Sequence, residues 1–441
     1  MKKINTLKSY KSKSLIGIIN LPGDKSISQR AVIFASLCLG LTKVFGLLKS
    51  KDVFSTINAL KALGIKIKFN SEICEISGTG GVFKKPKKTL DLGNSGTGVR
   101  LLIGMLSSKN IEVTFKGDKS LSKRPMLRVI KPLEKFGVKF ESNNGKLPIK
   151  ILKTSFLSPC TVNEKIGSAQ VKSALILSAL NLHGTSIINE IIPSRDHTEN
   201  LLKHLGADLE IKKKKIGKKI IVKGPQILKK KKIKICGDFS SASFLIVAAM
   251  ICKNSKIILK NVGINYFRIG LLEVLKKMNG KFKILKKWTE NGENVADIEI
   301  KSSNLVGLKV SGNISARLID EYPILFVAAS FARGPTEFNN LKELRYKESD
   351  RLTAMAEALE KSGVKLKQKE DSIKIFGSDV QNGGVKIKTH YDHRIAMSML
   401  IFGLASEKPI SVDDISMIET SFPNFAKLLK KIGAKIKYVQ K

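Results

Sequence analysis

Leu60-Lys-Ala-Leu-Gly64-Ile-Lys-Ile67 decides the fold. It is typical of a helix end, with Gly64 suited to the left-handed position that closes a helix, followed by a strand with one buried face. Successive glycines of this motif lie 69 to 83 residues apart, so one structural unit is predicted six times. The other five copies are centred on Gly137, Gly206, Gly280, Gly363 and Gly433.

Units of about 70 residues exceed the roughly 20 to 45 residues of solenoid repeats, so each is predicted to be a small α/β element, three to a domain. Six unrelated helix-to-strand joints would explain the even intervals poorly. The strand predicted over Leu15–Ile19 fits either half by sequence, and we assign it to the C-terminal side. The predicted domains are 1–20 plus 240–441 and 21–239, with hinges near 20–21 and 238–240.

The charge balance is unusual for a chain of otherwise globular composition. Lys and Arg number 79 against 37 Asp and Glu, a net charge of +42, while 42% of the 441 residues are hydrophobic. Nucleic-acid binding, anionic small substrates and a lysine-rich habit of solvated surfaces compete as explanations. The runs at 212–215 and 229–232 flank short β-like segments, carry no interleaved aromatic residues and are expected at exposed edges. We therefore favour the compositional explanation, and steeply salt-dependent binding would be the mark of the nucleic-acid alternative.

Cysteine usage indicates a reducing compartment. The five cysteines are odd in number and scattered, without a CxxC pair, which disfavours a disulfide frame or a zinc site.

The apolar patch Leu15–Leu21 is short for a signal peptide, and runs such as Phe244–Cys252 fall below the roughly 18 residues of a membrane span. A soluble cytoplasmic protein is expected.

Pro22-Gly-Asp-Lys-Ser-Ile-Ser-Gln-Arg30 is predicted to be an anion cradle at a helix start. Asp24 and Ser26 are good N-cap residues, and the apolar spacing after them is helical. Lys25, Ser26 and Arg30 can converge on one phosphate or carboxylate. A capped helix with solvated basic residues is the structural alternative.

Four later stretches repeat this design of polar or basic groups at helix starts. Leu90-Asp-Leu-Gly-Asn-Ser-Gly-Thr-Gly-Val-Arg100 precedes an apolar helix, Leu101–Leu106, and departs from both the dinucleotide and P-loop fingerprints. Gly117–Met126 is a basic loop expected to enter a helix at Pro125. Gly167–Ser173 and Ser194–Glu199 complete the set, and several helix N-termini aimed at one cleft would make a strong anion site.

The second half of the chain places acids beside cations, as proton transfer on an anionic substrate requires. The stretches are Asp320-Glu-Tyr-Pro323, ahead of a buried helix at Ile324–Ala332, then Glu343–Arg351 and His390–Arg394. A surface ladder of i,i+4 charges is the alternative for 347–351. His390 and His393 could be metal ligands at i,i+3, although the adjacent Arg394 disfavours a cation.

Together these stretches closely resemble the EPSP synthases, the 3-phosphoshikimate 1-carboxyvinyltransferase family, from Pro22 to Pro423. The shared motifs, in the family's order, are Pro22–Ser28, Leu92–Gly98, Lys123–Met126, Arg345–Arg351 and Asp392–Met397. The resemblance implies a two-domain inside-out α/β barrel with three βαβαββ units per domain, which agrees with the sixfold repeat. It implies transfer of the enolpyruvyl group of phosphoenolpyruvate to the 5-hydroxyl of shikimate 3-phosphate, without metal or organic cofactor.

The resemblance also assigns ligands. For shikimate 3-phosphate they are Lys25, Ser26, Arg30, Ser168, Ala169, Gln170, Arg195, Asp320 and Lys347. For phosphoenolpyruvate they are Lys25, Gly96, Arg124, Gln170, Arg351 and Arg394. Asp320 is our choice for the base at the 5-hydroxyl, and Glu348 with Lys25 for protonation of the enol methylene. Closure about the hinge is expected to expel water.

Departures from the family pattern indicate a branch. Gln29 stands where His is common, and Glu419-Thr-Ser-Phe-Pro423 lacks the Lys of the better-known branch, which puts one phosphoenolpyruvate contact in doubt. With Ser194–Glu199, this points to the second branch (class II), some of whose members tolerate glyphosate and carry Ala at the position of Gly96. Gly96 therefore predicts glyphosate sensitivity. The sister UDP-N-acetylglucosamine enolpyruvyl transferases stay an alternative, disfavoured because they use a loop Cys that has no counterpart here.

Overall fold

A computed structural model describes residues 6–154 and 156–439. Residues 1–5 and 440–441, at the two ends of the predicted C-terminal-side domain, lie outside that description. The α-helices there are α1 (Lys25–Leu37), α2 (Lys51–Ala62), α3 (Gly96–Ser107), α4 (Leu127–Glu134), α5 (Ala169–Ala179), α6 (His197–His204), α7 (Phe239–Ile251), α8 (Gly270–Lys277), α9 (Ser315–Leu318), α10 (Tyr322–Ser330), α11 (Arg351–Lys361), α12 (His393–Phe402) and α13 (Phe425–Lys431). Short 3-10 helices cover Leu121–Lys123, Gly312–Ile314, Lys342–Tyr346 and Ile418–Thr420.

The strands of the described residues are mostly short. They are β1 (Thr6–Ser9), β2 (Ile16–Asn20), β3 (Cys38–Phe45), β4 (Lys66–Asn70), β5 (Ile73–Thr79), β6 (Leu90–Asp91), β7 (Val113–Lys116), β8 (Phe140–Asn143), β9 (Lys146–Ile151), β10 (Thr161–Glu164), β11 (Gly184–Glu190), β12 (Leu209–Lys213), β13 (Lys218–Gly224), β14 (Leu228–Lys229), β15 (Ile233–Lys234), β16 (Lys256–Gly263), β17 (Lys281–Glu290), β18 (Glu293–Lys301), β19 (Lys309–Val310), β20 (Gly334–Phe338), β21 (Lys365–Gln368), β22 (Ile373–Gly377), β23 (Lys386–Ile387), β24 (Ile410–Val412) and β25 (Ile436–Val439).

These strands form six sheets that repeat one pairing pattern. In β10-β11-β13-β12, for example, the first pair is parallel and the next two pairs are antiparallel. The orders of the others are β14-β3-β5-β4 with β15 on β3, β6-β7-β9-β8, β17-β18-β16-β2, β19-β20-β22-β21 and β23-β24-β1-β25. Six sheets of this kind confirm the predicted sixfold repeat.

The chain forms two compact units. The N-terminal unit contains residues 23–235 and 289–293, and the C-terminal unit contains 6–22, 236–288 and 294–439. Each holds three of the six sheets. β1 and β2 belong to the C-terminal unit, where β1 pairs with β24 and β25 and β2 pairs with β16.

Helices form the core of each unit, as predicted for an inside-out α/β fold. α7 and α10 bury nearly every residue, α12 most of its length, and the three contact one another. α1, α3 and α5 occupy the equivalent place in the N-terminal unit. Helices that are apolar on all sides are stable only when other elements surround them, and here the sheets do so. No helix of the described ranges is long and apolar enough to cross a membrane.

The helix-to-strand joints follow the prediction with one exception. Gly64, Gly137, Gly206, Gly363 and Gly433 have φ between +86° and +98°, and a strand follows each. In the fourth copy the prediction is wrong for Gly280, because Asn279 takes the left-handed conformation with φ of +66°. Asn tolerates this region better than other residues with a side chain, so the turn closes one residue earlier.

In three of the six repeats, a second glycine lies where the end of a strand meets the last turn of a helix. A Cβ on Gly224 would lie 2.4 Å from the carbonyl oxygen of Leu182 and 2.6 Å from that of Ala179, just past and within α5. Gly78 and Gly377 face the ends of α1 and α10 in the same way. The strand crosses the helix end at a distance that only glycine permits.

We therefore expect Gly224→Ala to lower the free energy of unfolding by about 2–3 kcal/mol, because backbone atoms must move to admit the methyl group. Urea unfolding of the purified protein measures this. Gly312→Ala is the control, since its nearest neighbour is the Cβ of Asn340 at 3.0 Å, and its cost should stay below about 1 kcal/mol. Equal stability of the two variants would contradict the close approach.

Candidate active site

The predicted cradle after Pro22 is the start of α1. The side chain of Asp24 accepts a hydrogen bond of 2.8 Å from the backbone N–H of Ile27, so Asp24 is the N-cap and Ser26 lies inside the helix. Lys25 opens α1, and its Nζ is 2.6 Å from Oδ2 of Asp52 at the start of α2. Arg30 lies one turn after Ser26 and donates to its carbonyl oxygen at 3.0 Å. Arg30 and Ser26 are thus in contact at the start of α1, whereas the Lys25 ammonium pairs with Asp52.

Arg30 is 2% exposed and is held by hydroxyl groups. Its Nε donates to Oγ1 of Thr198 at 2.8 Å and its NH2 to Oγ of Ser173 at 3.0 Å. Burial lowers the pKa of Arg30 to about 10, although the charges of Asp24 and Glu199 raise it; the charge of Arg195 adds to the lowering. Arg30 stays charged at neutral pH, and two neighbouring guanidinium groups favour an anion between them.

The glycine-rich stretch forms the start of α3. This helix begins at Gly96, five residues before the predicted Leu101, because Ser95 caps it by accepting from the N–H of Gly98 at 3.2 Å. Gln29 of α1 donates to the Ser95 hydroxyl at 2.5 Å. The residue that departs from the family's His therefore ties the first two cradles together.

Gly96 faces two guanidinium groups. A Cβ there would lie 2.9 Å from NH1 of Arg124 and 3.2 Å from NH1 of Arg100. Arg124 also donates to Oδ1 of Asn94 at 2.8 Å. The predicted helix start at Pro125 is wrong: α4 begins at Leu127, because the carbonyl oxygen of Met126 is the first to accept a helical hydrogen bond, from the N–H of Ile130 at 3.0 Å.

α5 supplies the neutral groups predicted for this site. Ser168 caps the helix, accepting from the N–H of Val171 at 3.4 Å. The Gln170 side chain accepts from NH1 of Arg100 at 2.6 Å and donates to Oγ1 of Thr97 at 2.8 Å. Arg100 was not among the predicted site residues. Its position four residues after Gly96 places it on the same helix face, and this spacing could have indicated it.

In the C-terminal unit, Arg351 is the centre of the charged cluster and is 1% exposed. Its Nε lies 2.8 Å from Oδ2 of Asp392, its NH1 3.7 Å from Oδ1 of Asp320, and its NH2 donates to Glu348. Burial would lower the pKa of Arg351, but Asp392, Glu348 and Asp320 together raise it. The predicted base and acid thus share one guanidinium group.

Arg394 is held in the same cluster. Its NH1 donates to the carbonyl oxygen of Asp320 at 2.6 Å and its NH2 to Oγ of Ser240 at 3.3 Å. Asp392 caps α12 by accepting from the N–H of Arg394 at 2.9 Å. Neither Asp392 nor Ser240 was predicted as a site residue, since their partners are distant in sequence.

Lys347 is not part of a helical ladder. Residues 347–350 lie between the 3-10 helix Lys342–Tyr346 and α11, which starts at Arg351 because Asp350 caps the N–H of Thr353 at 3.1 Å. The surface-ladder alternative is therefore wrong. Burial lowers the pKa of Lys347, Arg351 lowers it further, and Asp320 raises it.

The histidine pair does not have the geometry of a helical i,i+3 ligand pair. His390 has a φ of +52° and precedes α12, whose first residue is His393. Within the described ranges, no three His, Cys, Asp or Glu side chains are grouped so that they could hold a metal ion.

A cavity of about 750 Å³ in the C-terminal unit lies away from the predicted ligands. Its lining includes Leu7, Phe425, Asp413, Glu419 and Tyr438. Glu419 begins the stretch that lacks the lysine of the better-known branch, and it lines this cavity. The geometry of the predicted substrate ligands, and not the size of this cavity, identifies the candidate site.

The chain matches the family model for EPSP synthase (3-phosphoshikimate 1-carboxyvinyltransferase) over residues 9–429. A 3-phosphoshikimate 1-carboxyvinyltransferase from Bartonella quintana is 45% identical, covering 99% of this chain and 100% of that protein. One from Parvibaculum lavamentivorans is 42% identical, covering 98% and 96%. The solved EPSP synthase of Acinetobacter baumannii is 36% identical with a TM-score of 0.87, covering 99% and 100%. The enolpyruvyl transferase NikO from Streptomyces tendae, 16% identical over both full chains with a TM-score of 0.76, shares the fold.

We expect Arg351→Met to lower the free energy of unfolding by about 3 kcal/mol, because it leaves the surrounding carboxylates without their buried cation. Differential scanning calorimetry measures this. Lys374→Met is the control, because it breaks a surface ion pair of 2.7 Å with Glu337 and should cost less than about 1 kcal/mol. A variant at 351 as stable as the control would show that the cluster does not need its cation.

Proposed function

The chain belongs to the EPSP synthase family, and we propose that the helix starts and charged cluster described above hold its two substrates. The enzyme transfers the enolpyruvyl group of phosphoenolpyruvate to the 5-hydroxyl of shikimate 3-phosphate and releases phosphate, a step in aromatic amino-acid biosynthesis. Both substrates carry phosphate and carboxylate groups, which guanidinium forks and helix N-termini bind well.

One observation supports the proposed site most strongly. The first turns of α1, α3 and α5, which pack together in one unit, carry five of the ligands predicted from sequence: Lys25, Ser26, Gly96, Ala169 and Gln170. Three N-termini with free N–H groups and positive dipole ends then act on the same anions. A single capped helix with solvated lysines, the structural alternative for α1, would not need the buried contacts of Arg30.

We assign the substrate ligands accordingly. Shikimate 3-phosphate takes Lys25, Ser26, Arg30, Ser168, Ala169, Gln170, Arg195, Asp320 and Lys347. Phosphoenolpyruvate takes Lys25, Gly96, Arg124, Gln170, Arg351 and Arg394. The guanidinium groups neutralise the phosphate as it becomes the leaving group.

The proposed chemistry is addition followed by elimination. Asp320 takes the proton of the 5-hydroxyl of shikimate 3-phosphate, and the hydroxyl oxygen bonds to the central carbon of phosphoenolpyruvate. Glu348, assisted by Lys25, protonates the methylene carbon. The tetrahedral adduct then returns a methyl proton to Glu348 and loses phosphate, which takes up the proton held by Asp320, so that the enol ether product forms. The Glu348 carboxylate accepts a hydrogen bond from NH2 of Arg351, which holds it in place for both proton transfers.

We further propose that the enzyme is of the class II branch, a cytoplasmic monomer and sensitive to glyphosate. The Ser194–Glu199 motif and the missing lysine before Phe422 support the branch. The five cysteines are odd in number and scattered along the chain, which fits a reducing compartment. The bare face of Gly96 beside Arg124 supports glyphosate binding.

Phosphate release by the purified enzyme tests the function. We expect release only when phosphoenolpyruvate and shikimate 3-phosphate are both present. Asp320→Ala and Arg124→Ala should each lower kcat/KM by a factor of roughly 100 or more, because one loses the proposed base and the other a phosphate ligand.

Lys116→Met is the control. It removes a surface lysine of the N-terminal unit, to which Arg124 also belongs, and should keep full activity. Release supported by UDP-N-acetylglucosamine in place of shikimate 3-phosphate would move the function to the sister reaction. If neither acceptor supports phosphate release, the proposed function is wrong, and salt-dependent nucleic-acid binding is the alternative to measure.

Glyphosate should inhibit the wild-type enzyme well below millimolar concentration. In Gly96→Ala the new methyl group meets NH1 of Arg124, so the inhibition constant should rise together with the KM for phosphoenolpyruvate. Steady-state inhibition kinetics at several concentrations of phosphoenolpyruvate measure both. Millimolar tolerance of the wild-type enzyme would refute the prediction.

A further inference from the structure

Four charged side chains of the N-terminal unit form a network behind the α1 cradle. Nζ of Lys172 on α5 lies 2.9 Å from Oε1 of Glu190 and 2.9 Å from Oε1 of Glu199, and it donates to the carbonyl oxygen of Ser194 at 3.3 Å. Lys218 on β13 lies 2.8 Å from Glu199 and 3.4 Å from Glu190. Lys172 therefore contacts two carboxylates and one carbonyl oxygen.

The burial of this network is nearly complete. The side chains of Lys172, Glu190 and Glu199 are 0% exposed, and that of Lys218 is 12% exposed. Burial would raise the pKa of Glu199, but the two lysines lower it to about 2, so the carboxylate stays charged. Buried ion pairs seldom stabilise a fold more than apolar residues of similar size would, so the retention of four charges needs another explanation.

The network lies directly beside the groups that hold Arg30. Lys172 precedes Ser173 on α5, and Glu199 follows Thr198 on α6. The hydroxyls of Ser173 and Thr198 are 2.6 Å apart, and both accept from the guanidinium group of Arg30. The Lys172–Glu199 pair thus fastens α5 to α6 at the level where Arg30 is held.

The same network fixes the turn that carries Arg195. Oε1 of Glu190, at the end of β11, accepts from the backbone N–H of Ser194 at 2.9 Å and from its hydroxyl. Lys172 contacts the carbonyl oxygen of the same residue. Arg195 follows Ser194 in the chain. Glu190 and Lys172, which bind the backbone of Ser194, therefore fix the position from which the Arg195 backbone continues.

We propose that Lys172, Glu190, Glu199 and Lys218 are positioning residues that orient Arg30 and Arg195 toward shikimate 3-phosphate. This inference rests on the proposed function. Without Lys172, two carboxylates face one lysine, and the excess negative charge draws the guanidinium groups away from the substrate. The residues assigned to phosphoenolpyruvate alone, Gly96, Arg124, Arg351 and Arg394, make none of these contacts.

The first test is Lys172→Met, with KM measured for each substrate. We expect the KM for shikimate 3-phosphate to rise roughly 10- to 100-fold, while kcat and the KM for phosphoenolpyruvate stay within about threefold. Lys116→Met controls for the loss of one lysine. Unchanged KM for shikimate 3-phosphate in a folded variant, or equal changes for both substrates, would overturn the proposal.

The second test is rescue by charge. Lys172→Met combined with Glu199→Gln leaves one lysine opposite one carboxylate, and we expect most of the lost affinity for shikimate 3-phosphate to return. A merely structural role predicts that the second substitution adds further damage, and that outcome would overturn the proposal. If Lys172→Met does not fold, Lys218→Met, at a less buried position, creates the same imbalance and must show the same substrate selectivity. Failure of the proposed function itself is distinct, because the wild-type enzyme would then release no phosphate.

Discussion

The crowding of positive charge is the constraint on which this structure depends. A site for two substrates with phosphate and carboxylate groups needs several cations close together, and these repel one another before any anion arrives. The protein meets this constraint in two ways. Arg351 is surrounded by carboxylates, whereas Arg30 is held by hydroxyls and by a carbonyl oxygen.

The two solutions have different chemical consequences. Neutral acceptors orient Arg30 without cancelling its charge, so the full charge acts on a ligand. The carboxylates around Arg351 offset its charge, and two of them belong to the residues assigned to proton transfer. Asp24 and Glu199 supply negative charge near Arg30, and Lys172 and Lys218 balance Glu199. The N-terminal unit therefore separates orientation from charge balance, and the C-terminal unit combines them.

Local signals made much of this predictable from sequence. The helix-to-strand joints and the capped helix starts depend on residues within one turn of each other, so their patterns are visible in the chain, whereas the proposed ligands follow from the family resemblance. The errors are local as well. Asn279, and not Gly280, takes the left-handed conformation at one helix end, and α4 begins at Leu127 instead of Pro125. The Lys172 network and the role of Asp392 were not predictable, because their partners meet only through the packing of separate elements. A lysine in an apolar helix gives no sign of which carboxylates will surround it.

The pairing of β1 has a consequence for synthesis on the ribosome. The N-terminal unit is nearly continuous in sequence, so most of it can fold while the rest of the chain is still being made. β1 leaves the ribosome first, but its partners β24 and β25 are among the last segments to emerge. Until then the first strand has open edges, and its sheet cannot form. The C-terminal unit is thus completed only after β24 and β25 have emerged, and a nascent chain that stalls before them carries one finished unit and a strand without its sheet.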